Sequence, residues 1–423
     1  MKKVLIIACY FPPAGGGGVQ RTSKFVKYLP NFGWTPIVLT TKKQILPFKD
    51  VTLLNDLPSN VKIVRTLSLE PKTPIKLNLM NHILYWVSIP DLSIWWLPFA
   101  VYEGLYLIKN ESIDIIYVTG NPFSSYLIGC ILKFLSKKPL IIDFRDAWIL
   151  DPRRSIKTIM LWRDIIEKFL FNICVKYSDK VILATNSMCE DFKRKFKNIR
   201  PSNDFLVITN GFDDTDLNNI VYIENNSGFF NIVYTGTLQW GSRDPTYLFK
   251  ALNLLKKGNY EIYTQVRLYL VGNISNNYKL LLAQYGLQDC VLIKGYVPHN
   301  ESLGYLKMAD VLVFIMETQK NVRQITSGKI FEYVAFNKPI LALAAIDSDA
   351  ADIIKDSGLG VFANPIDECK ILDMLLQLYN SWKNNQPLNA VSADNISKYT
   401  RKELTKKLAL CLDQLHESPI QKQ

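Results

Sequence analysis

The sequence has little histidine and no closely paired cysteines. Only three histidines occur in 423 residues, and the seven cysteines form no Cys-x-x-Cys pair. Residues this dispersed do not give the ligand spacing of a zinc site, so no metal is expected, and a histidine general base has little support. Because the cysteine number is odd and no signal peptide is predicted, we expect free or buried thiols and a cytoplasmic protein.

Long runs of one charge are also missing. The net charge is +12, but the basic residues are scattered, with only short clusters such as Lys193 to Arg200. No nucleic-acid-binding signature accompanies them, so no nucleic-acid partner is expected. The excess positive charge fits either a generally basic protein or a preference for phosphate-bearing ligands and anionic lipid.

An uninterrupted transmembrane stretch is absent as well. The opening MKKVLIIACYFPP has too short an apolar run for a signal peptide and reads as a first buried strand. The most apolar segment, Ile83 to Ile108, is broken by prolines and acidic residues. Its tryptophans Trp86, Trp95 and Trp96 would suit the inner face of a membrane. A buried helix in a large domain is the alternative.

What the sequence has is an alternation of short apolar runs with helix-length segments. Runs that are apolar throughout are typical of parallel strands covered on both faces. Seven lie in the first half: Val4–Ala8, Pro36–Thr40, Val61–Arg65, Asp114–Thr119, Leu140–Asp143, Val181–Ala184 and Leu206–Thr209. Six lie in the second half: Ile232–Tyr234, Arg267–Val271, Val291–Ile293, Val311–Ile315, Ile340–Leu343 and Gly360–Phe362.

This alternation predicts an α/β protein of two doubly wound, Rossmann-like domains. It pauses at the Asn- and Ser-rich stretch Leu217 to Gly228, where we place the boundary. The expected domains are residues 1–220 and 226–391, with a helix in 392–423 that packs back on the first domain. Ligands of such sheets bind at the carboxyl ends of the strands.

Four stretches at predicted strand ends could carry chemistry. The loop PPAGGGGVQR, which contains Gly16, Gly17 and Gly18, precedes a helix whose N-terminus could meet an anion. It matches neither a Walker loop nor the dinucleotide fingerprint, and a mobile loop without a ligand is the alternative. In DFRDAW, the carboxylates Asp143 and Asp146 could orient an acceptor hydroxyl. Arg145 could hold a phosphate, unless Asp and Arg form only a structural pair.

The other two stretches lie in the second half. Thr326 or Ser327 is expected to cap a helix that begins near Gly328. Lys329 and Glu332 would share one face of this helix and either bind a ligand or form a local ion pair. The stretch YTGTLQWGSR, with Gly236, Thr237 and Arg243, is either a diphosphate site or an ordinary strand-to-helix turn.

Together these stretches resemble the family 4 retaining glycosyltransferases, which have the GT-B fold of two domains facing across a cleft. The resemblance runs over nearly the whole chain. Its segments are YFPPAGGGGVQRTSKFVKYLPNFGWTPIVLT, IIDFRDAW, VITNGFDDTDL, NIVYTGTL, IKGYVPHNESLGYLKMADVLVF and SGKIFEYVAFNKPIL, in that order. IIDFRDAW is similar to a motif of a branch that makes capsule, O-antigen or exopolysaccharide.

The resemblance implies a nucleotide-sugar donor, UDP- or GDP-linked, bound in the C-terminal domain without a metal or other cofactor. Arg243 and Lys329 would bind its diphosphate, and Glu332 would hold the ribose hydroxyls. Gly295, Tyr296 and Val297 would flank the base, and the glycine loop would lie over the diphosphate. The acceptor would be a glycan, such as a polyprenyl-diphosphate-linked one at the anionic inner membrane surface.

One position departs from the family. Many members carry two glutamates with seven residues between them, and Gln324 stands where the first would be. An amide can still hydrogen-bond a sugar hydroxyl, but the identity of the sugar is left open. Two other functions remain: a nucleotide-sugar 2-epimerase of the same fold, and a non-catalytic sugar-nucleotide-binding scaffold, for which Gln324 is the only hint. Epimerases of this fold rely on acidic and histidine residues, so the low histidine content argues against the first.

Overall fold

The computed structural model describes residues 2–42, 50–70, 84, 86–151, 154, 161–218, 220–225, 228–239, 243–316, 323, 326–386 and 393–417. These residues form two compact units. Unit 1 contains the chain up to Asn210 together with the segment that starts at Arg401, and unit 2 runs from Gly211 to Thr400.

Unit 1 is a parallel sheet with helices on both faces. Its strands are β1 (Lys2–Ile7), β2 (Trp34–Thr41), β3 (Lys62–Thr66), β4 (Ile115–Thr119), β5 (Leu140–Phe144), β6 (Lys180–Leu183) and β7 (Phe205–Val207). Its helices are α1 (Gly17–Tyr28), α2 (Thr52–Asn55), α3 (Leu97–Asn110), α4 (Ser124–Ser136), α5 (Leu161–Tyr177), α6 (Asn186–Phe196) and, after unit 2, α15 (Arg401–Glu417).

The seven strands are ordered β3-β2-β1-β4-β5-β6-β7. The order reverses between β1 and β4, so the loops that follow these two strands leave in opposite directions and open a crevice at the carboxyl edge. The glycine loop follows β1 directly, which places it at this point of the sheet.

Unit 2 repeats the architecture. Its strands are β8 (Phe230–Thr235), β9 (Val266–Val271), β10 (Val291–Gly295), β11 (Val311–Ile315), β12 (Ile340–Leu343) and β13 (Gly360–Ala363). Its helices are α7 (Thr246–Gly258), α8 (Tyr260–Gln265), α9 (Asn276–Gln284), α10 (His299–Met308), α11 (Lys329–Ala335), α12 (Asp349–Ser357), α13 (Glu368–Lys383) and α14 (Ala393–Ser397). The strand order is β10-β9-β8-β11-β12-β13, and the reversal lies between β8 and β11.

The apolar runs are explained by burial on both faces of each sheet. In β1, Leu5 and Ile7 pack into the core on one face, whereas Val4 and Ile6 pack into the core on the other. Successive side chains of a strand point to opposite faces, so a strand with helices on both sides needs apolar residues throughout. The predicted α/β class, with two doubly wound parallel sheets and a strand in every predicted run, is confirmed.

Unit 2 begins earlier in the chain than the predicted boundary at Leu217 to Gly228. The Phe212 side chain lies in the core of unit 2, and its backbone N–H donates to the Tyr399 carbonyl at 3.2 Å. Both ends of unit 2 are thereby held together, which moves its start to Gly211 and its end to Thr400.

The three tryptophans of the segment Ile83 to Ile108 differ in burial. Trp96 is fully buried, and its indole Nε1 donates to Thr66 Oγ1 at 2.7 Å. Trp95 is half-buried and donates to Ser88 Oγ at 2.9 Å. The buried-helix alternative therefore holds for Trp96, and its assignment to a membrane interface is wrong. Among the described helices, none is both long and apolar enough to span a bilayer.

Helix α15 belongs to the core of unit 1, where it packs beside α1. Its residues Leu404, Leu408 and Leu412 fill the same buried cluster as strand β1. Trp34 at the start of β2 donates its indole N–H to Asp413 at 2.9 Å. The last helix thus covers one face of the first sheet.

We expect Leu412→Ala to lower the free energy of unfolding by about 2–5 kcal/mol, because it opens a cavity under a fully buried side chain. The matched control is Leu410→Ala on the same helix, where the side chain is 55% exposed and the change should stay within about 0.5 kcal/mol. Urea denaturation followed by tryptophan fluorescence reports mainly on unit 1, since six of the eight tryptophans precede Asn210. Equal losses in both variants would show that α15 is only peripherally attached.

Candidate active site

A buried ion pair lies at the carboxyl edge of the first sheet. Arg21 of α1 and Asp143 at the end of β5 are both fully buried. Arg21 Nε donates to one Asp143 carboxylate oxygen at 2.9 Å, and Nη2 donates to the other at 3.0 Å. This two-point geometry fixes the helix that carries the glycine loop relative to the strand that carries the DFRDAW motif.

The remaining hydrogen-bonding capacity of this pair is also used. The Tyr117 hydroxyl donates to Asp143 at 2.6 Å, and Arg21 donates to the carbonyls of Ile208 and Thr209 at 2.8 and 2.6 Å. Burial and the neighbouring Asp143 raise the pKa of Tyr117. Asp143 therefore has the surroundings of a structural carboxylate, paired with Arg21 rather than with Arg145.

Arg145 is fixed against two loops of the same edge. Its Nε donates to the Gly120 carbonyl, and its Nη2 donates to the Asn121 carbonyl at 3.0 Å. Its guanidinium also lies against Gly18, where an added Cβ would be 1.5 Å from Nη1. A side chain at position 18 would displace Arg145, so glycine there lets the arginine cross the start of α1.

The other loop glycines have different surroundings. Gly16 immediately precedes α1 with a φ of 107°, which favours glycine. Gly17 has open space where a Cβ would point. Asp146 is half-buried, in contrast to the fully buried Asp143. Of the two carboxylates predicted to meet an acceptor, only Asp146 is partly open to solvent.

In unit 2, the ends of three neighbouring strands are bound tightly to one another. The Gly236 N–H donates to the Val271 carbonyl at 2.6 Å, and the Gly272 N–H donates to the Gly295 carbonyl at 2.7 Å. The turn after β8 also lies against α11, because a Cβ on Gly236 would be 1.3 Å from Lys329 Nζ. Gly236 is therefore required for Lys329 to reach the strand end.

Lys329 is a half-buried cation beside a second cation. Its Nζ donates to the Thr235 carbonyl at 2.9 Å. Burial, and then the positive charge of Arg243, lower its pKa from 10.5 to about 8, although Glu332 opposes the shift. Two cations held together at the end of β8 raise each other's electrostatic energy, and an anion between them would lower it.

The tyrosines beneath these cations are buried and hydrogen-bonded. Tyr333 of α11 accepts the Thr235 N–H at 2.9 Å, and burial raises its pKa to about 12. Tyr234 contacts the positive charge of Lys329, with 5.6 Å between Nζ and the ring centroid. Burial raises the Tyr234 pKa as well, despite the opposing charge of Arg243. Both phenols therefore stay neutral near pH 7 and act as supports.

Glu332 is paired with a histidine that the sequence analysis did not place at this site. His299, the first residue of α10, places Nε2 3.0 Å from Glu332 Oε1. Glu332 and Lys329 thus have different partners, and the alternative of a local ion pair between them is not formed. The position of His299 shortly after Tyr296 and Val297 was the only signal in the sequence.

Helix α11 begins differently from the helix predicted near Gly328. Gly328 is the residue before α11 and no side chain caps it, so the expected cap by Thr326 or Ser327 is wrong. Thr326 as a whole is half-buried, but its hydroxyl oxygen is buried. Gln324 lies outside the described residues.

The remaining predicted donor contacts lie near this edge. Thr237 follows Gly236 and is exposed, and Tyr296 is also largely exposed just after β10. Val297 packs partly against the core of unit 2. Lys329, Arg243 and Gly236 are brought together by the fold. Among the described residues, no group of three or more His, Cys, Asp or Glu side chains is arranged to hold a metal.

Residues 230–381 match a family described as "Glycosyl transferases group 1". No curated protein matches the sequence. The match covers β8 to most of α13, which includes Gly236, Arg243, Lys329 and Glu332.

Solved structures with the same architecture cover the whole chain. A glycosyltransferase from Rickettsia africae ESF-5 gives a TM-score of 0.68 at 14% identity, over 99% of this chain and 99% of that one. Anabaena Alr3699/HepE in complex with UDP gives 0.65 at 16% identity, over 98% and 100%. A UDP-N-acetylglucosamine 2-epimerase homologue from Listeria monocytogenes gives 0.59 at 13% identity, over 99% and 98%.

The fold is GT-B. At these identities the structural likeness shows the fold alone, and the family match adds glycosyl transfer for the second half of the chain. Together they support a GT-B glycosyltransferase.

We expect Asp143→Ala to lower the free energy of unfolding by about 3–5 kcal/mol, because it leaves the Arg21 charge buried without its partner. Asp146→Ala, three residues along the same loop, serves as the control and should cost less than about 1 kcal/mol. Both are measured by urea denaturation with tryptophan fluorescence. A small effect at Asp143 would mean that its carboxylate is accessible to water and would restore it as a candidate for direct contact with an acceptor.

Proposed function

We propose that the protein is a retaining, metal-independent glycosyltransferase that moves a sugar from a nucleoside-diphosphate sugar to a hydroxyl of a glycan acceptor. The observation that carries the proposal is the placement of Lys329 beside Arg243 at the end of β8, where the charge of Arg243 lowers the pKa of Lys329. Such an arrangement costs free energy in the empty protein and is relieved by a bound diphosphate.

In this proposal the donor binds to unit 2. Lys329 and Arg243 neutralise the diphosphate, and they stabilise it further as negative charge develops on the leaving oxygen. Glu332 accepts hydrogen bonds from the ribose hydroxyls, while Tyr296 and Val297 flank the base. Gly236, Thr237, Thr326, Ser327 and Gly328 also contact the donor, and the Gln324 amide hydrogen-bonds a sugar hydroxyl. The structure of Anabaena Alr3699/HepE with UDP supports UDP as the first donor nucleotide to test.

The acceptor binds to unit 1 in the same proposal. Gly16, Gly17 and Gly18 leave room for a charged group at the start of α1, and Asp146 orients the acceptor hydroxyl. Arg145 holds its phosphate, since it is already fixed at the carboxyl edge by two backbone carbonyls. Asp143 acts through Arg21 as a positioning residue. The acceptor we favour is lipid-linked, in bacterial surface polysaccharide synthesis at the inner face of the membrane.

A second candidate is a nucleotide-sugar 2-epimerase, and one observation favours it. His299 beside Glu332 supplies a histidine and a carboxylate together, which weakens the argument from low histidine content. A scaffold that binds the nucleotide without turnover is the third candidate. Incubation with a radiolabelled UDP-sugar separates them: a transferase moves the label to an acceptor and releases UDP, an epimerase converts the labelled sugar to its C2 epimer without an acceptor, and a scaffold gives neither.

We expect UDP to stabilise the protein, by about 2.7 kcal/mol at a hundred times its dissociation constant. Lys329→Met should weaken binding at least tenfold, because it removes a positive charge from the diphosphate site. Lys279→Met, on an exposed part of α9, should leave binding unchanged. Thermal shift and calorimetric titration with UDP, GDP and NAD measure this. Binding of NAD alone, or equal UDP affinity in both variants, would contradict the proposed donor site.

The affinity for UDP should fall as the pH rises from 7.5 to 9. Lys329 has a pKa of about 8 in the empty protein, whereas a bound diphosphate favours its charged form, so binding takes up a proton above pH 8. The loss should approach about tenfold per pH unit at the upper end. Calorimetry at several pH values measures it, and Lys329→Met supplies the baseline for titration of the nucleotide itself. A wild-type pH dependence that is parallel to that of the variant would rule out Lys329 as the titrating group.

A further inference from the structure

Helix α5 presents an apolar surface to the outside. Trp162, Ile165, Ile166 and Phe169 follow each other at helical spacing, and all are exposed, with Ile165 at 66% and Phe169 at 62%. A helix on a sheet of a water-soluble domain normally turns such a stripe toward the core. The opposite face of α5 packs into the core of unit 1 through Phe171, Cys174 and Val175. The outward apolar stripe lies in the first half of the helix.

The charged side chains of the same turns point inward. Arg163 Nε lies 2.9 Å from Glu167, and its Nη2 donates to the Ser88 and Pro90 carbonyls. Arg154 pairs with Asp164 and with Glu167, each at 3.0 Å. This network holds the helix at its observed rotation, because turning it would break the two ion pairs to Arg154 and the hydrogen bonds from Arg163 to the Ser88 and Pro90 carbonyls. The outward apolar stripe is therefore built into the fold.

A neighbouring segment extends the stripe. The rings of Trp86 and Trp162 stack with 5.3 Å between their centroids, and Val87 beside them is 58% exposed. We call this surface the outer face of α5. It consists of Trp86, Val87, Trp162, Ile165, Ile166 and Phe169. Contiguous apolar surface of this kind on a soluble protein marks an interaction site.

The charge around this face selects the partner. The acidic residues of α5 are the buried Asp164 and the half-buried Glu167, and both pair with Arg154. The exposed charged residues on the helix are both positive: Lys168, which also pairs with Asp164 at 2.6 Å, and Lys176. Tryptophan and phenylalanine bordered by lysines suit the interface of an anionic bilayer. A second copy of this chain would instead bring like charges together, in a protein of net charge +12.

We propose that the outer face of α5 docks the protein on an anionic lipid bilayer. The aromatic and aliphatic side chains enter the headgroup region, and Lys168 and Lys176 contact the lipid phosphates. Helix α5 comes after β5, so its first turns lie at the carboxyl edge of the sheet, where the acceptor is proposed to bind. The docking deepens the proposed function, on which its purpose rests, because it brings that edge to a lipid-linked acceptor.

The test is flotation of the full chain with vesicles of phosphatidylcholine, alone or with one third phosphatidylglycerol. Wild type should float with the anionic vesicles and much less with the neutral ones. Ile165→Ser with Phe169→Ser should reduce the bound fraction at least tenfold. The matched control, Tyr260→Ser with Leu280→Ser, removes equally exposed apolar side chains from unit 2 and should bind as wild type does.

Two outcomes would overturn the proposal. One is equal flotation of the two double variants, or no flotation of wild type. The other is a wild-type dimer in sedimentation analysis that becomes monomeric in Ile165→Ser with Phe169→Ser, since a second copy would then cover the face. If that variant misfolds, quenching by brominated lipids decides: Trp162→Phe should remove much of the wild-type quenching, and an unchanged signal would contradict docking. UDP titration distinguishes the two proposals, because a protein that floats but does not bind UDP leaves the docking intact.

Discussion

The arrangement of unit 1 depends on the pairing of Arg21 with Asp143. This contact joins the helix after the glycine loop, the end of β5 and the backbone that leaves β7. Two opposite charges without water need full hydrogen bonding to be tolerated, and Tyr117 and two carbonyls complete it. Since Arg145 crosses Gly18 only when α1 lies at its observed distance from β5, the position of Arg145 at the carboxyl edge depends on this pair as well.

Unit 2 uses charge in the opposite way. Where unit 1 neutralises its buried arginine completely, unit 2 keeps Lys329 near Arg243, so that one cation lowers the pKa of the other. The glycine at position 236 and the two buried tyrosines make room for this arrangement and support it. The buried charges at one sheet edge are thus neutralised within the protein, whereas the other sheet edge keeps two cations close together.

The fold could be predicted because its signal is local. A strand buried on both faces must be apolar along its length, and every predicted run contains a strand. Gly236, Arg243 and Lys329 could also be selected from the sequence as candidate site residues, since each lies beside a predicted strand end or helix start. The Arg21 partner of Asp143 is 122 positions away, and His299 is 33 from Glu332. Nothing in either local pattern specifies such pairs. The inward orientation of the charged side chains of α5 likewise depends on groups outside the helix, namely Arg154 and backbone carbonyls before α3.

The position of α15 has a consequence for how the chain is made. Unit 2 is enclosed in sequence between the two parts of unit 1. The ribosome therefore synthesises all of unit 2 before it reaches Leu404, Leu408 and Leu412, which cover one face of the first sheet. That face of the first sheet lacks α15 until the last segment of the chain has left the ribosome. The nascent N-terminal half is thus the natural substrate for a chaperone that binds exposed apolar surface.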